Sequence, residues 1–368
     1  MITAKFGGTS ITARNLFHIK EILTPFHNCV VVSAIGKEHF ADVKTTDLLR
    51  EYYLTHSEKV WQQIADKYRR MVEVNAIKVD VEELLADAKS RALSYDVAYC
   101  TSLGEELSAK TVARYLNAQY VEAEHVVRFR EGKLCRRLTY ANAQKAFSGL
   151  NLGVIGGFYG GTDTGRTTFS GQGMPRATFS RGGSDVTGAI LAAALNSSLY
   201  ENWTDVNGVC AANPARVHGV ATIESMSYDE MLLLSRSGAE VLHPDAVAPV
   251  ERKGIPIKIG NFLNPNGFST LVSHCPSQSK LLSIAERVQN GEVVTTVLHT
   301  YPQWQIAELI SDFLRSYSHS IAFFDKTTEV SNICVHSVEL QSNVARLTTD
   351  VSILNSLYAA LTAKSAKS

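Results

Sequence analysis

Residues 177–188 read Ala-Thr-Phe-Ser-Arg-Gly-Gly-Ser-Asp-Val-Thr-Gly and run directly into an apolar segment, Ala189–Leu195. Paired glycines allow the backbone to turn tightly and to approach a ligand. Ser184 or Asp185 can cap the following helix, whose first N–H groups and positive dipole end favour an anion. The planar guanidinium of Arg181 suits a carboxylate or a phosphate. The stretch predicts an anion site at a helix N-terminus, and an ordinary glycine-rich loop before a capped helix is the alternative.

A second diglycine lies near the N-terminus, where a short strand, Ile2–Phe6, is predicted to run into Gly7 and Gly8 and then into an apolar-periodic helix. A strand, a diglycine and a helix start form a phosphate cradle, and Lys5 lies where the strand can deliver its ammonium to an anion. The motif is not the GxxxxGK[ST] nucleotide loop. A solvated lysine at a strand end is the alternative for Lys5.

Apolar strands alternate with helical patterns through the first three quarters of the chain. Buried strands are predicted at Cys29–Ser33, Leu152–Tyr159, Ser198–Trp203 and Ile255–Phe262, and long helices at Asp47–Val74, Asp80–Leu93 and Thr101–Asn117. Such alternation predicts an α/β domain with a mainly parallel sheet, and ligands collect beyond the carboxyl ends of its strands. Ser33 follows one strand, and Thr204 with Asp205 follows another, where they either hold a nucleotide or form the Asn207-Gly208 turn.

Two further features have structural explanations. Ser102 and Glu105 have the spacing of a capping box, which favours a structural role for Glu105 over a substrate contact. Residues 167–173 nearly repeat residues 177–183 but lack the arginine, and we interpret them as a surface insertion.

Composition excludes several classes of protein. The 36 basic and 36 acidic residues cancel, so no overall field attracts nucleic acid or an acidic membrane. The N-terminus has no signal-peptide pattern, and no run of about 18 apolar residues predicts a membrane span. The six cysteines have no metal-ligand spacing and are typical of a reducing compartment. These features predict a cytoplasmic protein without a metal site built from its own side chains.

The pattern changes near Leu281. A strand at Glu292–Leu298 and a helix at Gln303–Tyr317 are followed by short strands and a last helix; the short strands are predicted at Ser320–Phe324, Ser331–His336 and Val344–Leu347. We predict a catalytic domain over residues 1–278 and a small α+β domain over residues 279–368.

Taken together, these segments resemble the aspartokinases of the amino-acid-kinase superfamily over residues 2–273. The motifs that carry the resemblance are Lys-Phe-Gly-Gly-Thr-Ser (5–10), Val-Ser-Ala (32–34), Gly-Glu (104–105), Gly-Phe (157–158), Ser-Arg-Gly-Gly-Ser-Asp (180–185), Trp-Thr-Asp-Val-Asn-Gly-Val (203–209), Gly-Ala-Glu-Val-Leu-His-Pro (238–244) and Gly-Ile-Pro-Ile (254–257). The resemblance implies the three-layer α/β/α amino-acid-kinase fold with an ACT-like C-terminal domain.

The same resemblance implies transfer of a phosphoryl group from MgATP to the side-chain carboxylate of L-aspartate, the first step toward lysine, threonine and methionine. It implies catalytic roles for Lys5, Asp185 and Arg181, and substrate contacts at Thr46, Glu105, Arg181 and Ser184. It implies ATP contacts at Lys5, Gly7, Gly8, Ser33, Thr204 and Asp205. An acceptor with two carboxylates and one ammonium requires a cationic fork, an anionic partner and a cationic phosphate site, and Arg181, Glu105 and Lys5 have those charges.

The chain departs from the family pattern in two respects. The family has Asp-Pro-Arg after the Thr-Asp turn, whereas this chain has Ala215 at the expected arginine and Arg216 one position later. The family commonly carries two ACT domains that bind amino-acid effectors, and residues 279–368 have room for one, so we expect weak or altered feedback control. The resemblance also implies at least a homodimer. The alternatives are a kinase for another amino dicarboxylate and an inactive regulatory subunit that binds amino acids.

Overall fold

Alternate side chains of the strand His27–Val32 reach two different apolar layers. Val30 and Val32 pack into one hydrophobic cluster, and Cys29 and Val31 pack into another on the opposite side of the strand. A strand buried on both faces is typical of a parallel sheet covered by helices on each side. The sheet that contains this strand is therefore the middle one of three layers, with an apolar helical layer on each side.

The computed structural model describes residues 1–162, 174–179, 182–217, 219–237, 241–277, 281–289, 292–299, 303–320, 335–340, 344–349 and 354–365. These residues form two units, one made of Met1–Asn207 with Asp245–Ser273 and the other of Gly208–Pro244 with His274–Ser368. Strands and helices are numbered along the chain.

The strands of the first unit are β1 Ile2–Phe6, β2 His27–Val32, β3 Gln119–Val121, β4 Arg128–Arg130, β5 Lys133–Leu134, β6 Gly153–Gly156, β7 Tyr159–Thr162, β8 Arg176–Thr178, β9 Leu199–Thr204, β11 Ile257–Asn261 and β12 Ser269–Ser273. Its helices are α1 Phe17–Ile22, α2 Thr45–Thr55, α3 Glu58–Val74, α4 Val81–Arg91, α5 Val97–Leu116, α6 Ala123–Val126, α7 Arg136–Phe147, α8 Gly183–Ala194 and α10 Val247–Glu251, the last preceded by a 3₁₀ turn at Pro244–Ala246.

Within this unit the main sheet runs in the order β12-β11-β9-β1-β2-β6-β3. The pairs are parallel except that β12 runs antiparallel to β11. A smaller sheet has the order β5-β4-β7-β8. The apolar layer on one face of the main sheet includes α2, α3, α4 and α5, and the layer on the other face includes α6, α7 and α8. The predicted three-layer α/β fold is confirmed.

The second unit contains β10 Ser225–Ser227, α9 Tyr228–Arg236, β13 Leu281–Gln289, β14 Glu292–His299, α11 Gln303–Ser320, β15 Val335–Leu340, β16 Val344–Thr349 and α12 Leu354–Ser365. Its four-stranded sheet has the order β13-β14-β16-β15 and is antiparallel throughout. The helix predicted at Gln303–Tyr317 is present as α11, and its residues Ile306, Ile310 and Phe313 are buried. The capping box of Ser227 and Glu230 is present. Residues 208–244 join this unit, which the sequence did not predict.

Several predicted elements have different bounds. The helical pattern at Asp47–Val74 is two helices, because His56 adopts a left-handed conformation between them. The apolar run Leu152–Tyr159 divides into β6 and β7, which belong to different sheets. The helix after the first diglycine begins only at Phe17. Residues 167–173, 321–324 and 331–334 lie outside the described residues. Across the described part of the chain, no helix is both long enough and apolar enough to span a membrane.

Candidate active site

A pocket of about 730 Å³ opens in the first unit where β1, β2 and β9 end and where α8 begins. The predicted site residues that line it are Lys5, Gly7, Gly8, Ser33, Thr46, Glu105, Ser184, Asp185 and Asp205. Thr9, Ala34, Ile35, Gly36, Lys37, Lys44, Asp47, Phe158, Gly182 and Gly183 also line it. The position agrees with the general location of ligands in parallel α/β sheets, beyond the carboxyl ends of the strands.

Lys5 is held by two partners at the floor of this pocket. Its ammonium nitrogen lies 2.6 Å from Asp185 Oδ1 and donates a hydrogen bond of 3.2 Å to Asn202 Oδ1. Asn202 faces Lys5 because β1 and β9 pair in parallel with these two residues in register. The amide nitrogen of Asn202 donates to Asp185 Oδ1 at 3.3 Å and closes the triangle. Tyr200 adds a hydroxyl that donates to the Asp185 main-chain oxygen at 3.0 Å.

Two glycine loops form the wall beside Lys5. The N–H of Gly36, which follows β2, donates to the Gly8 carbonyl, which follows β1, at 2.8 Å. A Cβ atom on Gly36 would lie 2.4 Å from the Gly8 carbonyl carbon, and one on Gly8 would lie 2.9 Å from the Ala34 oxygen. Only glycine permits this approach of two backbones. The predicted helix start at this diglycine is absent, so main-chain groups of loops form the wall there.

The beginning of α8 supplies the opposite wall. Gly182 is its N-cap with φ of 72°, and no side chain of the described residues caps the helix. The predicted cap by Ser184 or Asp185 is wrong, because both lie within the first turn and Asp185 turns toward Lys5 and Asn202. The first N–H groups of a helix lack helical acceptors and favour an anion. Glycine is required at position 157, where a Cβ would lie 2.7 Å from the Ser184 side chain.

Glu105 is a buried carboxylate in the pocket wall. It lies in the middle of α5, which begins at Val97 and is capped by Asp96, so the predicted capping box with Ser102 is wrong. The residue is 4% exposed, and its Oε2 atom has no hydrogen-bond partner among the described residues. Burial raises the pKa of Glu105 to about 8, and hydrogen bonds from the Ala34 and Glu105 main chain offset part of that rise. An unpartnered buried carboxylate is suited to bind a cationic group of a ligand.

The loop between β2 and α2 borders the same end of the pocket. The side chain of Lys67 binds Asp42 with both N–O distances at 2.6 Å, which anchors the loop to α3. Burial opposes ionisation of Asp42, but hydrogen bonding to Lys67 lowers its pKa below the ordinary value. The loop leads to Thr46 at the start of α2, and it brings Lys37 and Lys44 to the pocket.

Comparison with known proteins places this fold and pocket in a family. Residues 1–261 match the family model described as the amino acid kinase family. The chain belongs to the amino acid kinase family. The loops that follow β1 and β2, together with the first turn of α8, lie within the matched region.

Three similar proteins are aspartokinases. Aspartokinase 3 of Bacillus subtilis is 33% identical over 297 residues, which cover 74% of this chain and 63% of that protein. The chain thus spans less than two thirds of that relative's length. The crystal structure of Clostridium acetobutylicum aspartate kinase is 27% identical and has a TM-score of 0.72, covering 100% of this chain and 82% of that one. Escherichia coli aspartokinase III, in complex with aspartate and ADP, shares the fold with 22% identity and a TM-score of 0.66, covering 96% of this chain and 79% of that one.

Other predicted residues of this amino acid kinase have different placements. Thr204 does not line the pocket, and its hydroxyl lies 3.2 Å from the Asp205 carboxylate, to which it donates. Arg181 lies outside the described residues. Arg216 binds Glu286 of β13 within the second unit, with an N–O distance of 2.9 Å.

Sequence reasoning missed Asn202, Lys37, Lys44 and Phe158. A signal existed for Asn202, because it is a polar residue in a segment predicted to be a buried strand, where Glu201 is the other buried polar residue. Phe158 follows a diglycine and has φ of 74°, a conformation that a sequence does not indicate for phenylalanine. Within the described ranges, no group of three or more His, Cys, Asp and Glu residues could hold a metal ion.

Proposed function

We propose that this amino acid kinase is an aspartokinase, which transfers the γ-phosphoryl group of ATP to the side-chain carboxylate of L-aspartate and forms 4-phospho-L-aspartate. One observation carries the proposal: the Lys5–Asp185 pair lines a single pocket with the buried carboxylate of Glu105, whose Oε2 has no hydrogen-bond partner among the described residues. The first group suits a phosphate and the second suits an ammonium. The similarity to aspartokinase 3 of Bacillus subtilis supports the same reaction.

The donor end of the pocket is assigned to the residues around Lys5. Its ammonium and the main-chain N–H groups of Gly7, Gly8 and the first turn of α8 would neutralise the transferring phosphoryl group. Ser33 and Asp205 would contact the nucleotide from the ends of β2 and β9. Preorganised cations and main-chain donors are the principal means by which enzymes stabilise this charge. Asp185 and Asn202 would keep Lys5 in place.

The acceptor end is assigned to the residues around Glu105. Its carboxylate would bind the ammonium of aspartate, and Thr46 and Ser184 would donate hydroxyl hydrogen bonds to the acceptor. Arg181, at the end of the sequence motif that precedes α8, would pair with the carboxylate that does not react. An amino acid held at both ends presents its side-chain carboxylate to the phosphorus atom, and such positioning supplies much of the rate acceleration.

The chemical step needs no general base. An oxygen of the aspartate side-chain carboxylate forms a bond to the γ-phosphorus, and the bond from that phosphorus to the bridging oxygen of ADP breaks. The carboxylate carries no proton at neutral pH, so none has to be removed. ADP leaves with the electron pair of the broken bond. The protein contributes alignment and charge neutralisation.

Mg²⁺ is expected to enter with ATP. This ion binds through one or two carboxylates together with substrate phosphates and waters, and it does not need a site made only of protein groups. Asp185 and Asp205 both line the pocket and have carboxylates suited to that role. The ion would supply additional charge neutralisation on the phosphates.

We further propose that residues 1–278 form the catalytic domain and residues 279–368 a single ACT-like domain. The antiparallel four-stranded sheet with α11 and α12 supports an α+β domain in the second region. An amino-acid effector, a homodimeric or larger assembly and a cytoplasmic location are part of this proposal. Free cysteines, two of them buried, suit a reducing compartment. Kinetics with lysine and threonine, and light scattering, test the effector and the assembly.

A hydroxamate assay tests the reaction. With ATP, Mg²⁺ and aspartate, hydroxylamine should trap the acyl phosphate as a coloured hydroxamate. Lys5→Met should reduce the rate by a factor on the order of 10² or more, because it removes the central cation. Lys258→Met is the matched control, since Lys258 is a lysine of β11 whose ammonium lies over the Trp203 ring and does not line the pocket.

The outcomes separate the proposal from its alternatives. The proposal is supported if the protein phosphorylates aspartate and if this activity requires Lys5. A higher kcat/KM with glutamate or a modified aspartate would identify a kinase for another amino dicarboxylate. Binding of an amino acid without binding of ATP or turnover of any acceptor would identify an inactive regulatory subunit.

A further inference from the structure

Arg176 lies in a buried polar cluster behind the acceptor end of the pocket. Its side chain is 1% exposed, and one terminal nitrogen lies 2.6 Å from Glu106 Oε2 and 2.8 Å from Glu124 Oε1. The other terminal nitrogen donates to Ser102 Oγ at 3.1 Å. One guanidinium thus connects β8 to α5 and α6. Any role of Arg176 in acceptor binding rests on the proposed function.

The same guanidinium lies between two aromatic rings. The guanidinium carbon is 4.6 Å from the ring centre of Tyr99 in α5 and 4.6 Å from the ring centre of Tyr159 in β7. Stacking of a desolvated guanidinium on aromatic faces is attractive and fixes the plane of the group. Arg176 therefore has a defined position and a defined orientation.

Two of these contacts, Glu106 and Tyr159, are adjacent in sequence to residues that line the pocket. Glu106 follows Glu105 on α5, and Tyr159 follows Phe158, which lines the pocket with φ of 74°. Phe179 directly follows the strand of Arg176, and its N–H donates to the Phe158 carbonyl at 2.8 Å. A movement of Arg176 would therefore be transmitted to Glu105 and to Phe158.

The cluster is not arranged for stability alone. Arg176 Nε, Glu124 Oε2 and the Tyr159 hydroxyl are buried and have no hydrogen-bond partner among the described residues. Buried charges and unpaired polar groups destabilise a fold relative to a well-packed apolar core. A buried polar network also fixes the placement of its neighbours, and the neighbours of this cluster include residues of the pocket.

We propose that Arg176 is a positioning residue of the acceptor subsite, which holds α5 and the β6–β7 turn at the spacing that aspartate requires between Glu105 and Phe158. Arg176 does not line the pocket. Its effect on the reaction is therefore indirect and is confined to the acceptor. The donor end depends on Lys5, Asp185 and Asn202, none of which contacts this guanidinium.

Arg91 provides a matched control within the same cluster. It binds the other oxygen of Glu106, Oε1, at 2.7 Å, and its side chain is 10% exposed. Arg91 reaches Glu106 from α4, where it also donates to Glu106 Oε2 at 3.3 Å and to the Tyr99 hydroxyl, and it binds Asp87. Arg91→Lys and Arg176→Lys each keep the charge and remove the planar fork from one side of the same carboxylate.

Steady-state kinetics of the two variants test the proposal. Arg176→Lys should raise KM for aspartate about ten- to a hundredfold, since displacements near 1 Å have effects of that size, and should leave KM for ATP within a factor of about two. Arg91→Lys should leave KM for ATP unchanged and should raise KM for aspartate much less, because Arg91 contacts Glu106 but Arg176 also packs on Tyr159 of β7. Equal effects of the two variants on KM for aspartate, or a parallel rise in both KM values for Arg176→Lys, would overturn the positioning role.

Hydrogen exchange gives a readout that does not depend on turnover. Arg176→Lys should accelerate amide exchange in peptides that contain residues 157–160 and in the segment of α5 around Glu105, whereas Arg91→Lys should leave exchange in residues 157–160 unchanged. Unchanged exchange in both segments would reject the proposal even if the kinetics shifted. If the wild-type protein phosphorylates no acceptor, the proposed function fails, and the exchange data still decide whether Arg176 holds these segments.

Discussion

The ammonium nitrogen of Lys5 and a carboxylate oxygen of Asp185 lie 2.6 Å apart in the pocket that both side chains line. The two residues are far apart in sequence and meet because β1 and the start of α8 converge at one edge of the sheet. The cation is thereby held in a partly buried position before any ligand arrives. A phosphate that binds Lys5 competes with the Asp185 carboxylate for the same ammonium group. The ion pair therefore lowers the affinity of the pocket for anions.

This competition predicts the effect of neutralising Asp185. Asp185→Asn removes the internal anion and leaves Lys5 without a charge partner, so an external polyphosphate should bind more tightly. In the absence of Mg²⁺, saturating tripolyphosphate should raise the melting temperature more in Asp185→Asn than in the wild type. Thermal unfolding with and without the ligand measures this, because the stabilisation follows ligand affinity.

Lys5→Met is the control for that experiment and should abolish the stabilisation. Tighter polyphosphate binding in Asp185→Asn should nevertheless accompany slower turnover with MgATP, since Lys5 is no longer oriented. A smaller tripolyphosphate effect in Asp185→Asn than in the wild type would mean that Asp185 assists anion binding rather than competing with it.

Asn202 should prove necessary for the donor end. Asn202→Leu keeps the volume and removes hydrogen bonds to both Lys5 and Asp185, and the residue is 1% exposed. Hydrogen bonds to charged groups contribute about 1.5–3 kcal/mol each. We expect kcat/KM for ATP to fall by a factor on the order of 10 to 100. Asn28→Leu, at the opposite end of β2, should leave the kinetics unchanged, and equal losses in the two variants would contradict the assignment.

Five of the pocket residues that the sequence predicted have positions that follow from strand ends. Lys5, Gly7, Gly8, Ser33 and Asp205 come at or just after parallel strands, and the carboxyl ends of such strands share one edge of the sheet. Alternation of strands and helices is a local pattern, which makes this part of the fold readable from the sequence.

The errors concern tertiary contacts that compete with local patterns. Asp185 has the sequence position of a helix-capping residue, but its ion pair with Lys5 replaces that role. Ser102 and Glu105 have capping-box spacing, but the helix extends back to Val97, because Asp96 caps it. The placement of Asn202 beside Lys5 depends on the pairing of β1 with β9, a long-range register that no local sequence pattern specifies.

The raised pKa of Glu105 predicts a pH dependence of acceptor binding. At neutral pH in the absence of ligand the carboxyl is mainly protonated, since burial raises its pKa to about 8. Only the carboxylate attracts the ammonium of aspartate. The value of kcat/KM for aspartate should therefore increase as the pH rises from about 6 toward 8, with a slope near one on logarithmic axes. Glu105→Gln should have a much lower and flat profile, and a wild-type profile that is flat over this range would contradict the role of Glu105.

The same shift predicts how Glu105 affects folding stability. The pKa of Glu105 is about 8 in the folded protein against an ordinary value of 4.5, so between these pH values the folded state binds the extra proton. Stability from this group is fully present below pH 4.5 and is lost as the pH rises through 8. Glu105→Gln cannot lose a proton, and its free energy of unfolding relative to the wild type should increase between pH 5 and pH 9 by about 1–4 kcal/mol. Urea unfolding measures this, with the exposed Glu73→Gln as the control that should show no such trend.

The close contact between Gly36 and Gly8 allows the effect of a substitution to be predicted from backbone geometry alone. A methyl group on Gly36 would lie 2.4 Å from the Gly8 carbonyl carbon, and neither backbone can move without displacing the wall beside Lys5. Gly36→Ala should lower the free energy of unfolding by roughly 3 kcal/mol or more and should abolish turnover.

Gly149 is a suitable comparison, because its φ of 74° disfavours alanine although no atom lies within 4 Å of the added methyl group. Gly149→Ala should cost only about 1–2 kcal/mol and keep its kinetics. Equal stability of the two variants in urea unfolding would show that the two loops are not in the close contact that the pocket requires.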